Sequence, residues 1–309
     1  MREVVAVQAQ DRAAALLAVR ARTDGASAEA LERALAAGAI VRAWGMRGTL
    51  HLLAAEDLPL ALSIFGPVHL ARGQRRLTQL GLPPPEAERS TAETAAILAE
   101  HGPLTRHELA ARLRERGVPV AAEGQAPIHV VHRAALAGVL CEVGAEGRYG
   151  ALDLGPLPDR AEALAELARR YAAAHAPCGA EDFATWSGLP AADVRAAWDG
   201  EPHIEGEAEE GPVRLLGAFD EWLLGWASRA PVLAPRHARR VAPGGGIIRP
   251  VAIADGRAFS TWRLDRRRGR VEVEPFGRVT RAMRDGIGAE VAAISSFLGV
   301  DLAVLTAVG

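Results

Sequence analysis

The sequence predicts a mainly α protein: three tandem winged helix-turn-helix units with small β wings, followed by a C-terminal β-hairpin and meander. Three observations carry that expectation. A pattern of helix, helix, strand, tight turn and strand recurs along the 309 residues, which is the plan of a winged helix. Apolar residues make up 49% but aromatics only 5%, so the cores are Ala, Leu and Val, which suit helix packing better than a β-sandwich. The length leaves room for more than one buried core and for two or three small domains.

The first unit spans residues 1–85. Residues 4–7 are strand-like and lead into Gln8-Ala9-Gln10 and Asp11. In an extended chain, residues two apart share a face. Gln8 and Gln10 then project side by side, and Asp11 faces the other way as a helix cap. Residues 12–22 follow a 3.6 period through Ala13, Leu16, Leu17 and Arg20, until Thr23-Asp24-Gly25 breaks it. Ser27 caps a second helix that ends at Gly38. A strand over 40–44, a turn over 45–48 and a strand over 49–53 form the wing. Helical sequence over 55–80 closes the unit, and Leu82-Pro83-Pro84-Pro85 reads as a linker.

The second unit, 86–157, repeats the plan. A helix over 91–101 ends in a turn at Gly102-Pro103-Leu104-Thr105. Thr105 serves as N-cap and Glu108 completes a capping box for a helix over 106–116. A third helix over 127–137 takes the recognition position. Strands over 139–143 and 148–152, around a turn at 144–147, form the second wing.

The third unit, 158–309, opens with a linking helix over 159–175. Helices over 179–187 and 190–198 precede an acidic loop, 201–211, and a strand, 213–216. A short basic helix over 236–240 is stopped by Pro243 and a glycine joint at 244–246. Strands over 247–253 and 257–264 form a hairpin through Ala254-Asp255-Gly256. A third strand covers 270–275, and a helix over 278–298 ends at Gly299.

Composition excludes several chemistries. All 36 basic residues are arginine, so a Walker A loop and a lysine Schiff base are impossible. The two cysteines, Cys141 and Cys178, have no CxxC spacing, which fits a reducing compartment and no cysteine metal site. No apolar run approaches the ~20 residues of a membrane helix, and the N-terminus lacks a signal-peptide pattern. The expectation is a cytoplasmic, nucleoid-associated monomer without membrane, metal or cofactor. His129 and His132 lie one helical turn apart beside Arg133 but lack further ligands at zinc spacing; contact with a DNA backbone and plain surface both remain open. His107-Glu108 does not extend to HExxH.

Net charge is only −2, but residues 229–284 hold fourteen arginines against four acids. Such a block suits a face for a polyanion. The competing reading pairs these arginines with the acidic stretch over 193–221. The candidate DNA contacts are Arg47, Arg133, Arg239, Arg240, Arg249, Arg257 and Arg263. For Arg47, packing beneath the wing is the alternative. His51 reads as a core or hydrogen-bonded histidine, and Asp220 and Trp222 as structural.

Gln8-Ala9-Gln10, the segment Trp44-Gly45-Met46-Arg47-Gly48-Thr49-Leu50-His51, and the segment from Phe219-Asp220-Glu221-Trp222 to Pro243-Gly244-Gly245 stand in a familiar order. Arg249-Pro250, Gly256-Arg257 and Thr261-Trp262-Arg263 continue it. The chain closely resembles the AlkZ/YcaQ family of winged-helix DNA glycosylases, which unhook azinomycin-type interstrand crosslinks. The resemblance covers nearly the whole chain. It implies three winged-helix units in a C-shaped, positively lined cleft, and it implies that Gln8 and Gln10 are the catalytic pair. One departure is that family members carry a helical segment ahead of the Q-x-Q motif, whereas seven residues precede Gln8 here.

The implied chemistry is physically intelligible. A normal N-glycosidic bond needs an acid for the leaving base and a carboxylate for the oxocarbenium-like sugar. An N7-alkylguanine already carries positive charge, so its departure needs no acid. Two amides are then enough to hold a water and orient dipoles at the sugar. The expected reaction is monofunctional hydrolysis leaving an abasic site, on double-stranded DNA carrying alkylated or crosslinked purines. From fold alone, the rival is a non-enzymatic winged-helix DNA-binding regulator.

Overall fold

The computed structural model describes residues 5–144, 147–198 and 211–306. The expected acidic loop, except Gly211, and the middle of the second wing turn lie outside the described residues. The chain is mostly helical with small sheets. In the first unit, strand β1 (Ala6–Gln8) leads into helix α1 (Arg12–Arg20), capped by Asp11 Oδ1, which accepts from the Ala14 N–H at 3.0 Å. Helix α2 (Ala28–Ala36) is capped by Ser27, as expected. Strands β2 (Ile40–Trp44) and β3 (Leu50–Ala54) flank a tight turn, and α3 (Leu58–Gln79) follows.

The stretch expected as a second unit contains α4 (Pro84–His101), β4 (Leu104–Thr105), α5 (Arg106–Glu115), α6 (Ala126–Leu136), β5 (Leu140–Glu142) and β6 (Arg148–Ala151). The capping box at Thr105 and Glu108 forms. The expected linker at 82–85 is instead the start of α4: Pro84 and Pro85 occupy its first turn, where a missing N–H costs nothing. The third part contains α7 (Arg160–His175), α8 (Ala180–Ser187), α9 (Ala191–Ala197), β7 (Arg214–Leu216), α10 (Glu221–Leu224) and α11 (Ala238–Val241). It ends with β8 (Val251–Ala254), β9 (Arg257–Asp265), β10 (Arg270–Pro275), α12 (Arg281–Leu298) and β11 (Ala303–Thr306). The strand expected over 247–253 is shorter than its apolar pattern, because Pro250 has no N–H to give a ladder.

Two features differ from the sequence expectation. The two hairpins expected as wings are not separate: they join in one six-stranded sheet, ordered β1-β3-β2-β5-β6-β4, through the pairing of Arg42 with Glu142. The C-terminal meander also gains a parallel edge strand, β11, giving the order β11-β10-β9-β8-β7. Strand β11 carries too short a pattern to announce itself.

The cores cross the expected unit boundaries. One buried cluster joins Val41, Leu53 and Phe65 to Leu167, Tyr171, Phe183 and Trp186. Another joins Val7, Leu17 and Leu52 to Leu215, Val271 and Ile294. Close backbone approach depends on glycine at two contacts. A Cβ on Gly66 of α3 would lie 2.8 Å from the Leu136 carbonyl of α6, and one on Gly217 would lie 2.7 Å from the Ala14 carbonyl of α1. The net result puts β1, the turn after β2, the end of α8 and the start of α10 in one place.

Candidate active site

Strand β1 is the edge of its sheet, paired only with β3. Gln8 stands opposite His51, so their side chains share a face. The chain stays extended beyond β1, with the Ala9 N–H donating to the Leu50 carbonyl at 2.7 Å. This brings the two amides together: Gln8 Nε2 donates to Gln10 Oε1 at 3.0 Å. They differ in accessibility. Gln8 is 6% exposed, whereas Gln10 is open to solvent.

The surroundings of Gln8 come from four distant parts of the chain. Its backbone N–H, on the open side of β1, donates to Glu221 Oε1 at 3.2 Å. Its side-chain Oε1 accepts from Arg47 at 2.9 Å. Arg47 also donates to the Trp186 carbonyl at the end of α8, and Trp186 Nε1 donates to Glu221 Oε2 at 2.9 Å. Arg42 reaches across from β2 to donate to the Ala9 carbonyl at 2.9 Å, and pairs with Glu142 of β5 at 2.9 Å. The Q-x-Q backbone is thus held from both sides of the sheet.

Burial dominates the electrostatics. It pushes the Arg47 guanidinium below its ordinary value, with Glu221 opposing and Arg229 assisting. Burial raises the Glu221 carboxyl, opposed first by Arg47 and then by the Trp186 N–H. Both Glu221 oxygens nevertheless accept hydrogen bonds, as an ionised carboxylate does. Beside it, Asp220 is fully buried and takes a bidentate pair from Arg22 at 2.6 and 2.9 Å. His51 is completely buried; burial, and then Arg47, hold its imidazole down at about 3, so it is neutral. Its Nδ1 meets the Thr49 carbonyl at 2.9 Å.

Two strained residues deliver this arrangement. Arg47 and Phe219 are non-glycines in the left-handed region, at φ 55 and φ 58. Each costs about 1–2 kcal/mol against an ordinary conformation, and such outliers cluster at functional sites. Gly188, the left-handed cap of α8, fits closely over Arg47: a Cβ there would lie 3.1 Å from Arg47 Cα and Cγ.

An open cleft of about 510 Å³ begins at Asp11, the residue after Gln10, and runs past Leu17, Gly217 and Trp262 to Arg263, Arg266 and Arg267; Gln8 and Gln10 themselves do not line it. The sequence-derived arginines divide around it. Arg239, Arg249 and Arg257 are exposed, and none makes an ion pair among the described residues; Arg249 and Arg257 each donate to one backbone carbonyl. Arg263 is 68% exposed but shares Glu272 with Arg270. Arg240 lies 4.8 Å over the Phe276 ring and donates to the Pro275 carbonyl. Arg47 and Arg133 point inward. Arg133 donates to the Ala87 carbonyl and to the side chains of Thr91 and Gln74, so it ties α6 to α4 and α3.

The acids expected to neutralise the basic block are partly committed elsewhere: Asp193 pairs with Arg160 and Asp220 with Arg22. His132 packs on Trp44 at 5.0 Å rather than facing solvent, and burial lowers it to about 4. Among the described residues, no group of three His, Cys, Asp or Glu is placed to hold a metal ion. No described helix is long and apolar enough to cross a membrane. Sequence reasoning missed Glu221, Arg42 and Trp186. Glu221 stands in the quoted Phe219–Gly225 segment, yet nothing there marks it as the neighbour of Gln8, 213 positions away.

A family profile described as DNA glycosylase AlkZ-like matches residues 1–297. The protein is accordingly of the enzyme class that acts on N-glycosyl bonds of DNA. It belongs to the AlkZ-like DNA glycosylase family. A relative from Streptomyces sahachiroi, named an interstrand DNA cross-link repair glycosylase, is 30% identical over 332 residues, covering 95% of this chain and 88% of that protein. The solved structure of Streptomyces sahachiroi DNA glycosylase AlkZ superposes with a TM-score of 0.79 at 26% identity, covering 99% of this chain and 92% of the other. The reading as a non-enzymatic regulator is not favoured.

Proposed function

We propose that this enzyme hydrolyses the N-glycosidic bond of cationic N7-alkylated purines in double-stranded DNA, interstrand crosslinks included, and leaves an abasic site. The observation that carries the reading is the contact between the buried Gln8 amide and the solvent-exposed Gln10 amide, in a chain of the AlkZ-like family. The name of the Streptomyces relative supports crosslinked DNA as a substrate.

In this mechanism a water oxygen bonds to C1′ and the C1′–N9 bond breaks. Its electron pair leaves with the base and neutralises the alkylpurine cation, and one water proton passes to solvent. No general acid is needed, since the leaving group brings its own charge. The amides hold the water and orient their dipoles toward the sugar. With no lysine in the chain, a lysine-based lyase step has no nucleophile, so the reaction is monofunctional.

Recognition of the duplex falls to three winged-helix units arranged as a C around it. Arg239, Arg249, Arg257 and Arg263 are the phosphate contacts, because their guanidinium groups face solvent. Arg240 is a weaker candidate with its face on Phe276. Arg47 and Arg133 are spent inside the protein.

The test is incubation with a duplex containing 7-methylguanine, followed by alkaline cleavage at abasic sites. Wild type produces strand breaks. Gln8→Ala and Gln10→Ala lower single-turnover release by at least about 10²-fold, in the range for loss of an oriented dipole, while duplex binding survives. Wild-type rates in both variants would remove the catalytic assignment.

A further inference from the structure

The sequence reading offered Arg47 as a phosphate contact or as packing. The geometry points to a third role, which rests on the glycosylase reading above. We propose that Arg47, held beside the Glu221 carboxylate, is a positioning residue that fixes the polarity of the amide pair, making Gln10 Oε1 the acceptor turned toward DNA and Gln8 the group that orients it.

Donors and acceptors can be paired in one way only. A guanidinium only donates. The atom of Gln8 that meets Arg47 must therefore be its oxygen, found at 2.9 Å. That choice turns Gln8 Nε2 the other way, toward Gln10. An amide nitrogen only donates, so it must meet the Gln10 oxygen, found at 3.0 Å. Flipping either amide would set donor against donor or oxygen against oxygen. The direction of both side chains is thus dictated by one arginine two contacts away.

Accessibility divides the labour in the same way. Gln8 is 6% exposed, with its oxygen facing inward, whereas Gln10 is solvent-exposed. What remains for a bound substrate is the second lone pair of Gln10 Oε1 and the Gln10 NH2. A water delivered to C1′ needs a hydrogen-bond acceptor to orient it, and Gln10 Oε1 supplies one, while the proton itself passes to solvent.

Arg47 is itself held at several points. Its backbone is left-handed, the Trp186 carbonyl takes a second donor, and the Gly188 backbone packs closely on its Cα and Cγ. Glu221 anchors the same unit by accepting from both the Gln8 backbone N–H and Trp186 Nε1. An uncompensated buried cation would repel a cationic lesion, and Glu221 offsets that charge.

The experiment is a double-mutant cycle on Arg47→Met and Gln8→Ala. It reads single-turnover release of 7-methylguanine and the salt dependence of binding to undamaged duplex. Positioning through Gln8 predicts that Arg47→Met lowers the rate about 10²-fold and leaves Kd within about twofold, with an unchanged salt slope. In the Gln8→Ala background, adding Arg47→Met then costs nothing further. A phosphate contact would instead weaken binding and reduce the salt slope by about one, and additive rate losses would equally overturn the proposal.

Arg47→Lys guards against misfolding, since it keeps the buried charge but replaces the rigid fork, whose two NH2 groups reach the Trp186 carbonyl and Gln8 Oε1 separately, with one flexible point donor. About a tenfold loss of rate with an unchanged Tm is expected, and full activity would count against the proposal. A readout independent of turnover is the pair of side-chain NH2 resonances of Gln8 and Gln10, assigned by their loss in the alanine variants. Both pairs shift in Arg47→Met if the polarity is imposed as described, and unmoved resonances refute it. Should wild type release no base while these resonances move, the glycosylase reading fails and the positioning role stands.

Discussion

Gln8 turns its hydrogen-bonding capacity inward, and Gln10 keeps part of its own open to solvent. That asymmetry was invisible in the tripeptide, where the two residues are chemically identical. What the spacing did convey was their adjacency, because an extended chain puts residues i and i+2 on one face. Asp11 was equally legible as a cap, since capping is a contact three residues long. The role of Arg47 was not, because exposure of an arginine depends on what folds over it. The buried histidines make a prediction at this scale. His51 is held down at about 3, and His132 and His175 at about 4, in each case chiefly by burial. Unfolded, each returns to about 6.5 and binds its proton more readily than the native state does. Their contribution to stability is therefore complete above pH 6.5 and is lost as pH falls toward those native values. Urea unfolding should show stability dropping by up to about 1.4 kcal/mol per pH unit for each such histidine between pH 6.5 and 4.5. A flat profile over that range would show that these rings are not held neutral.

The secondary-structure elements were largely readable because their signals are local. Thr105 and Glu108 predicted their capping box from three-residue spacing, and the structure contains it. Ala254-Asp255-Gly256 predicted the hairpin joining β8 and β9. The proline run before α4 misled, since proline is at home both in a linker and in a helix's first turn. How elements approach one another was not readable. Gly66 and Gly73 sit seven residues apart on α3, yet only Gly66 faces a backbone, at 2.8 Å from the Leu136 carbonyl. Gly66→Ala should force α3 and α6 apart and cost about 1–3 kcal/mol, as overpacking does. Gly73→Ala meets nothing within 4 Å and should stabilise by up to about 1 kcal/mol through helix propensity. Denaturant midpoints of the two variants would move in opposite directions; matching shifts would discredit the packing argument.

Taken whole, the molecule brings part of its basic C-terminal block, Arg263, Arg266 and Arg267, into one cleft with Asp11 and helix α1. The sequence showed the block but not which arginines face outward. Arg239 and Arg249 are exposed, while Arg133 is enclosed between helices. Replacing Arg239 or Arg249 with alanine should lower the slope of log K against log salt by about 0.9 each on duplex DNA, one released counterion apiece. Arg133→Ala should leave that slope alone and lower Tm instead. A smaller slope for Arg133→Ala, measured by titration at several salt concentrations, would reverse the assignment.

By itself the sequence determined the helical class, the two short hairpins, the adjacency of the two amides and the exclusion of lysine chemistry, because these depend on composition or on residues a few positions apart. Only the tertiary structure decided that the two hairpins share one sheet, that Glu221 and Trp186 surround Gln8, and that Arg47 turns inward. Each of those is a contact across tens to hundreds of residues. Side chains so separated in the chain meet through the cores that join residues near the N-terminus to residues beyond 160. No local pattern records which of them will touch.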